Sequence, residues 1–208
     1  MGLSASTARP AKAPPSNIPE GAEKATLAAG CFWGVEHIFR KHFKDAKDGG
    51  GLYDARVGYT GGDKSNPSYR QVCSGTTGHA EALQLIYNPS RITYRELIEF
   101  FYRIHDPTTK NAQGNDHGTQ YRSAIFTHSA EQDRIAREVT QQVKDARWFM
   151  RRNRMGVVVP EDITTQIVPA GKWYDAEGMH QEYLTDNPYG YQCPTHFVRG
   201  MPPLPPVS

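Results

Sequence analysis

The sequence predicts an α+β chain: a two-layer sandwich with a split βαβ (ferredoxin-like) core, a mainly antiparallel sheet and a long irregular C-terminal segment. Three observations predict it. Strand-like and helix-like runs alternate as β-α-β followed by β-α-β, with helix appended. The apolar spacing that marks these runs fades beyond Val157, where Gly, Tyr and Pro take over. A chain of 208 residues is long enough for one ordinary domain with a real core.

Each element has its own signal. Residues 24–28 form a short strand that runs into Gly30-Cys31. Phe32, Val35, Ile38, Phe39 and Phe43 then keep helical spacing over 32–43. Residues 52–59 alternate and end at the turn Thr60-Gly61-Gly62. Residues 80–87 make another strand, closed by Asn88-Pro89. Residues 93–104 carry a capping box, Thr93 with Glu96, and an apolar face of Tyr94, Leu97, Ile98 and Phe101. Asp106-Pro107 stops that helix. Residues 121–127 read as a strand, and Ser129 with Gln132 opens a helix carrying Ile135, Val139 and Val143. Residues 163–169 are a further strand candidate. The resulting domain spans 23–200, with a flexible tail at 1–22 and a proline-rich tail at 201–208.

Those tails hold eight prolines: Pro10, Pro14, Pro15 and Pro19 at the start, and Pro202, Pro203, Pro205 and Pro206 at the end. Extended, solvated chain is the expectation for both. No apolar run of signal-peptide length follows Met1, so a secretory signal is not expected. Met1-Gly2-Leu3-Ser4-Ala5-Ser6 fits a loose myristoylation pattern, which a flexible terminus explains as well. Lys and Arg number 24 against 22 Asp and Glu, a net charge of +2, which gives no bulk attraction for nucleic acid or membrane. The apolar runs are too short for a membrane span.

The three cysteines are an odd number, so at least one thiol is free, intermolecular or reactive. Cys31 lies in Gly30-Cys31-Phe32-Trp33-Gly34, where the first strand hands over to the first helix. Unpaired N–H groups and the helix dipole favour negative charge there, so the thiol should ionise more easily. The flanking glycines let other atoms approach closely, and Phe32 and Trp33 set two aromatic faces beside the sulfur. By position alone a buried structural cysteine stands level with a nucleophile. A second cluster, Gly75-Thr76-Thr77-Gly78-His79-Ala80-Glu81, places Glu81 in the first residues of a strand. A carboxyl buried there has a raised pKa and can donate a proton. Two further polar stretches, 66–70 around Tyr69 and 113–122 around Asp116 and Tyr121, are too chemically varied for plain connectors.

These segments together resemble the A-type peptide methionine sulfoxide reductases, which act on the S epimer. The matching residues are GCFWG at 30–34, VGYTGG at 57–62, NPSYRQVCSGTTGHAEAL at 66–83, HDPTTKNAQGNDHGTQYRSAIF at 105–126 and GMHQEYL at 178–184. The resemblance implies that Cys31 attacks the sulfoxide sulfur while Phe32 and Trp33 hold the substrate methyl group. It implies that protonated Glu81 gives its proton to the sulfoxide oxygen. Tyr69 and Tyr121 then donate hydrogen bonds to that oxygen, and Asp116 supports the site. The product is methionine and a sulfenic acid on Cys31. Cys193, in Tyr189-Gly190-Tyr191-Gln192-Cys193-Pro194, matches a resolving position, so a Cys31–Cys193 disulfide reduced by thioredoxin is implied.

Cys73 lacks a helix start or an aromatic cage and reads as a structural, buried thiol. His180 and Trp173 lie within reach of a cleft, with a satisfied structural histidine as the default. The expectations are no bound cofactor and no metal, since CxxC, HxxxH and HExxH spacings are missing. The partners expected are thioredoxin and free or protein-bound methionine S-sulfoxide, with a monomeric chain. Rival readings are a non-catalytic thiol-based binder of oxidised methionine and a nucleic-acid module on the basic run 147–154, which otherwise reads as a solvated helix end. A thiol–disulfide cycle suits a reducing, cytoplasmic location, with a mitochondrial or lipid-anchored form left open.

Overall fold

Alternating apolar residues set the strands, and the turn and capping residues between them set the helices. The computed structural model describes residues 18–206. In chain order the elements are β1 (Glu23–Ala29), α1 (Phe32–Phe43), β2 (Leu52–Thr60), α2 (Tyr69–Cys73), β3 (Ala80–Tyr87) and α3 (Tyr94–Ile104). Then come β4 (Ala112–Gln113), β5 (Asp116–His117), β6 (Ser123–Thr127), α4 (Ala130–Asp145), β7 (Met150–Arg152) and β8 (Val158–Pro160). The last are β9 (Gln166–Pro169), β10 (Trp173–Asp175) and α5 (Tyr183–Asp186). The main sheet runs β10-β2-β3-β1-β6-β9, antiparallel throughout except for the parallel β6–β9 edge. The chain is thus mixed α and β around a mainly antiparallel sheet.

Strand alternation divides the burial. Leu27, Val57, Leu83, Leu85, Tyr87 and Ile125 share one core with Phe32, Val35 and Phe39 of α1, Leu97 and Phe101 of α3 and Val139 of α4. The other face carries Ala28, Ala80, Ala82, Ala124 and Phe126, against which Val168, Ala170 and Trp173 pack. Small residues there let the connecting segments lie close to the sheet. Capping closes α3 as its sequence predicts: Thr93 and Glu96 exchange bonds in a capping box. Ser129 accepts from the Gln132 N–H to open α4.

Several details differ from the sequence expectation. The strand read at 121–127 starts only at Ser123, because Thr119–Tyr121 closes a 3₁₀ turn whose Tyr121 N–H donates to the Gly118 carbonyl. The last strand candidate shortens to Gln166–Pro169. The basic run 147–154 is no helix end: α4 stops at Asp145, and Met150–Arg152 pairs with Val158–Pro160 in a hairpin. The proline-rich tail is not simply solvated over its described part. Met201 and Leu204 pack against the core, Arg103 donates to the Met201 carbonyl and Arg95 to that of Pro205. The N-terminal myristoylation pattern lies outside the described residues.

Candidate active site

The strand-to-helix junction brings Cys31 and Glu81 together. Cys31 occupies the N-cap position of α1 without a side-chain capping bond, and its place is only 6% exposed. Glu81 sits on β3 directly across from Tyr59, on the face that Leu83 and Leu85 bury. Its carboxylate oxygen accepts the Phe32 N–H at 3.1 Å, so Glu81 serves one of the unpaired donors at the start of α1. Burial dominates its protonation: the carboxyl is pushed up to about 8, although the Phe32 N–H pulls it down. The sequence expectation of a buried, proton-holding Glu81 fits this environment.

The Cys31 expectation does not. Burial and then the adjacent Glu81 charge raise its thiol pKa well above the ordinary range, outweighing the Trp33 and Gly34 N–H groups that lower it. The helix start alone therefore leaves the resting thiol protonated.

An aromatic wall stands beside the junction. Phe32 is buried and contacts Tyr59, Tyr69 and His180, with ring centroids 5.5–6.4 Å apart. Trp33 is half-buried, stacks on Tyr183 at 3.9 Å and donates its Nε1–H to His180 Nδ1 at 3.2 Å. His180 is thus a structural histidine by its bonding, yet it forms part of the wall. Trp173 lies instead on the opposite face of the sheet, its Nε1–H given to Asp175.

Tyr69 opens α2, a short helix not read from the sequence, although Ser68 and Gln71 form its capping box. Glu177 holds it in place, accepting the Tyr69 N–H at 2.9 Å and the Tyr59 hydroxyl at 2.8 Å. Tyr121 closes the 3₁₀ turn on the other side. Burial and then the charge of Glu81 push both tyrosines far above the phenol range, so they remain hydrogen-bond donors. Cys73 is only half-buried, and both Tyr69 and Tyr121 lie within hydrogen-bonding reach of its thiol. It borders the site, and two tyrosines form the cage that its sequence neighbours do not supply.

Asp116 stands on the β4–β5 hairpin, opposite Gln113, and both its oxygens accept the Tyr191 hydroxyl at 3.0 Å. The same hairpin holds Cys193. That thiol is 2% exposed and donates to the Gln113 carbonyl at 3.3 Å, while Thr195 donates its hydroxyl to Gln113 Oε1 at 2.6 Å. All three cysteines are free. Gln113, whose carbonyl accepts from the Cys193 thiol, also lies against Gly30, so the Cys193 turn and the Cys31 turn meet at this hairpin. Glu177, Gln113 and Tyr191 escape sequence reasoning because each acts through a partner distant in the chain. Tyr191 carries a hint as a neighbour of Cys193, and Gln113 as the first residue of the polar stretch 113–122. Among the described residues no three His, Cys, Asp or Glu side chains gather as a metal set.

The chemistry such a site supports is thiol attack on an oxidised centre whose oxygen meets a neutral carboxyl and phenol donors. Comparison with known proteins shows the family. A family model, peptide methionine sulfoxide reductase, matches residues 23–201. A probable peptide methionine sulfoxide reductase of Schizosaccharomyces pombe is 47% identical, covering 84% of this chain and 95% of the relative. The peptide methionine sulfoxide reductase MsrA of Escherichia coli is also 47% identical, over 85% of this chain and 76% of the relative. Among solved structures, reduced Mxr1 of Saccharomyces cerevisiae superposes with a TM-score of 0.75 at 44% identity, covering 87% of this chain and 94% of that one. Mxr1 in complex with Trx2 matches with a TM-score of 0.55 at 31% identity, covering 87% and 92%.

Proposed function

Because the chain belongs to the peptide methionine sulfoxide reductase family and is a thiol-dependent reductase of methionine sulfoxide, we propose that Cys31 is its nucleophile and Glu81 its proton donor. The observation that carries this reading is the buried Glu81 carboxyl, seated against the first N–H of α1 one residue from Cys31 and holding its proton to about pH 8. A sulfoxide oxygen leaves poorly until protonated, and a neutral carboxyl supplies that proton. Glu81 protonates the oxygen as the Cys31 sulfur attacks the substrate sulfur. The thiol proton returns to Glu81, the oxygen ends on Cys31 as a sulfenic acid, and methionine leaves.

Tyr69 and Tyr121 donate to the oxygen, Asp116 supports the site through Tyr191, and Phe32 with Trp33 receives the methyl group. Cys193 then condenses with the sulfenic acid, releasing water and leaving a Cys31–Cys193 disulfide. Thioredoxin is the reductant of that disulfide, a reading supported by the complex of the related Mxr1 with Trx2. The epimer reduced is the S form, on free methionine or on proteins. No bound cofactor is needed for these steps, and an intrachain disulfide asks for no second copy, so the working unit is a monomer. The cycle suits the cytoplasm. We further read the central order β2-β3-β1-β6 as the split βαβ core, supported by its antiparallel pairing. The domain is taken as 23–200.

The test is the first turnover of Glu81→Gln. Its rate should fall by roughly 10²–10⁴. The wild-type rate should decline as pH rises through about 8, where Glu81 loses its proton, and the variant should lack that decline. An unchanged rate in Glu81→Gln removes it as the acid.

A further inference from the structure

Gly34 is an odd residue for the first turn of a helix that carries the nucleophile. Glycine weakens a helix relative to alanine. Its φ is ordinary, so backbone freedom does not explain it. Space does: a Cβ at Gly34 would lie 2.5 Å from His196 Nδ1 and 3.3 Å from Cγ of the same ring. The ring also donates from Nε2 to the Ala29 carbonyl at 2.7 Å. The imidazole therefore straddles the Cys31 turn, bonded two residues before the sulfur and seated three residues after it. Gly30, with φ +94°, makes the matching space for Gln113, whose Cγ lies 2.5 Å from where a Cβ would be.

His196 is tied to Cys193 by a tight turn, its N–H donating to the Cys193 carbonyl at 3.0 Å. Anchoring the ring therefore anchors the turn that carries the second thiol. The carbonyl acceptor fixes the proton on Nε2, which leaves Nδ1 an acceptor, buried and without a partner. An unpaired buried acceptor weakens the seat.

We infer that His196, admitted by Gly34, is a positioning residue for the second chemical step: it holds the Cys193 turn beside the Cys31 turn, so that disulfide formation is fast. The inference rests on the resolving role assigned to Cys193. In that step the S–O bond of the Cys31 sulfenic acid breaks and the Cys31–Cys193 S–S bond forms. The Cys193 proton departs with the hydroxyl as water. His196 touches none of the reacting atoms; it raises the local concentration of one thiol at the other sulfur.

The full chain, mixed with methionine S-sulfoxide and no reductant, separates the steps. Methionine released in the first turnover reads the attack. Trapping with dimedone against disulfide content, by mass, reads the resolution. His196→Ala should release methionine within about twofold of wild type yet form the disulfide roughly tenfold or more slowly, with trappable sulfenic acid accumulating. His196→Gln, whose amide nitrogen reaches the place of Nε2, should recover most of the rate. Gly34→Ala should slow resolution in the same way. Combined with His196→Ala it should do no further harm, since both changes break one contact. Disulfide formation at the wild-type rate in His196→Ala overturns the inference, as does equal slowing of both steps. Cys193→Ser serves as the control: if its sulfenic acid does not persist, the resolving assignment itself fails, independently of His196.

Discussion

Cys31 follows a strand bonded along both edges, whereas Cys193 lies in a stretch with no regular element between α5 and residue 206. Cys31 inherits its place from β1, flanked by β3 and β6, and from the first turn of α1. Cys193 is fixed by a few side-chain and turn bonds: its own to Gln113, that of Thr195 to Gln113, of His196 to Ala29 and of Tyr191 to Asp116. Each such bond contributes only about 1 kcal/mol net, and none is part of a cooperative ladder. On the proposed roles, the thiol that attacks substrate is built into the sheet, and the thiol that resolves it is attached to the sheet by separable contacts.

Removing each thiol breaks the comparison at its strongest point. Cys31→Ser should release no methionine from methionine S-sulfoxide at any enzyme concentration. Cys193→Ser should release one equivalent per chain and then stall in the presence of thioredoxin. Multiple turnovers by Cys193→Ser would show that the C-terminal thiol has no part in the cycle.

A smaller effect sharpens the contrast in stability. Leu85, fully buried on β3, should cost about 2–5 kcal/mol on replacement by alanine. Tyr191→Phe, which deletes the hydroxyl bond to Asp116 at an exposed ring, should cost about 1 kcal/mol or less. Urea unfolding followed by far-UV circular dichroism measures both. Equal losses would mean that the C-terminal segment belongs to the same cooperative unit as the sheet.

The same division explains what the sequence reveals. β1, α1, β2, β3, α3 and α4 announce themselves through period and caps, because each buries its own apolar stripe in the common core. Cys31 and Glu81 are legible because one marks a strand-to-helix junction and the other an acid within an apolar strand. β10, α5 and the hairpin of β7 and β8 are too short to hold a pattern, and tertiary contacts set them. The ionisation of Cys31 is not legible in the sequence, because the helix-start effect is local whereas the burial that outweighs it comes from the whole fold. The cage around Cys73 is not legible in the sequence because Tyr121, one of its two tyrosines, is far away along the chain. Gly34 could be noted from the sequence as permitting close approach, but the visitor, His196, could not.

Intact-chain and peptide mass analysis after mixing the reduced chain with methionine S-sulfoxide, without reductant, tests the central assignment most directly. The account predicts one equivalent of methionine and an intramolecular Cys31–Cys193 disulfide, with Cys73 still a free thiol. A disulfide that joins Cys31 to Cys73 instead, or a chain that releases methionine while Cys193 stays reduced, would contradict it.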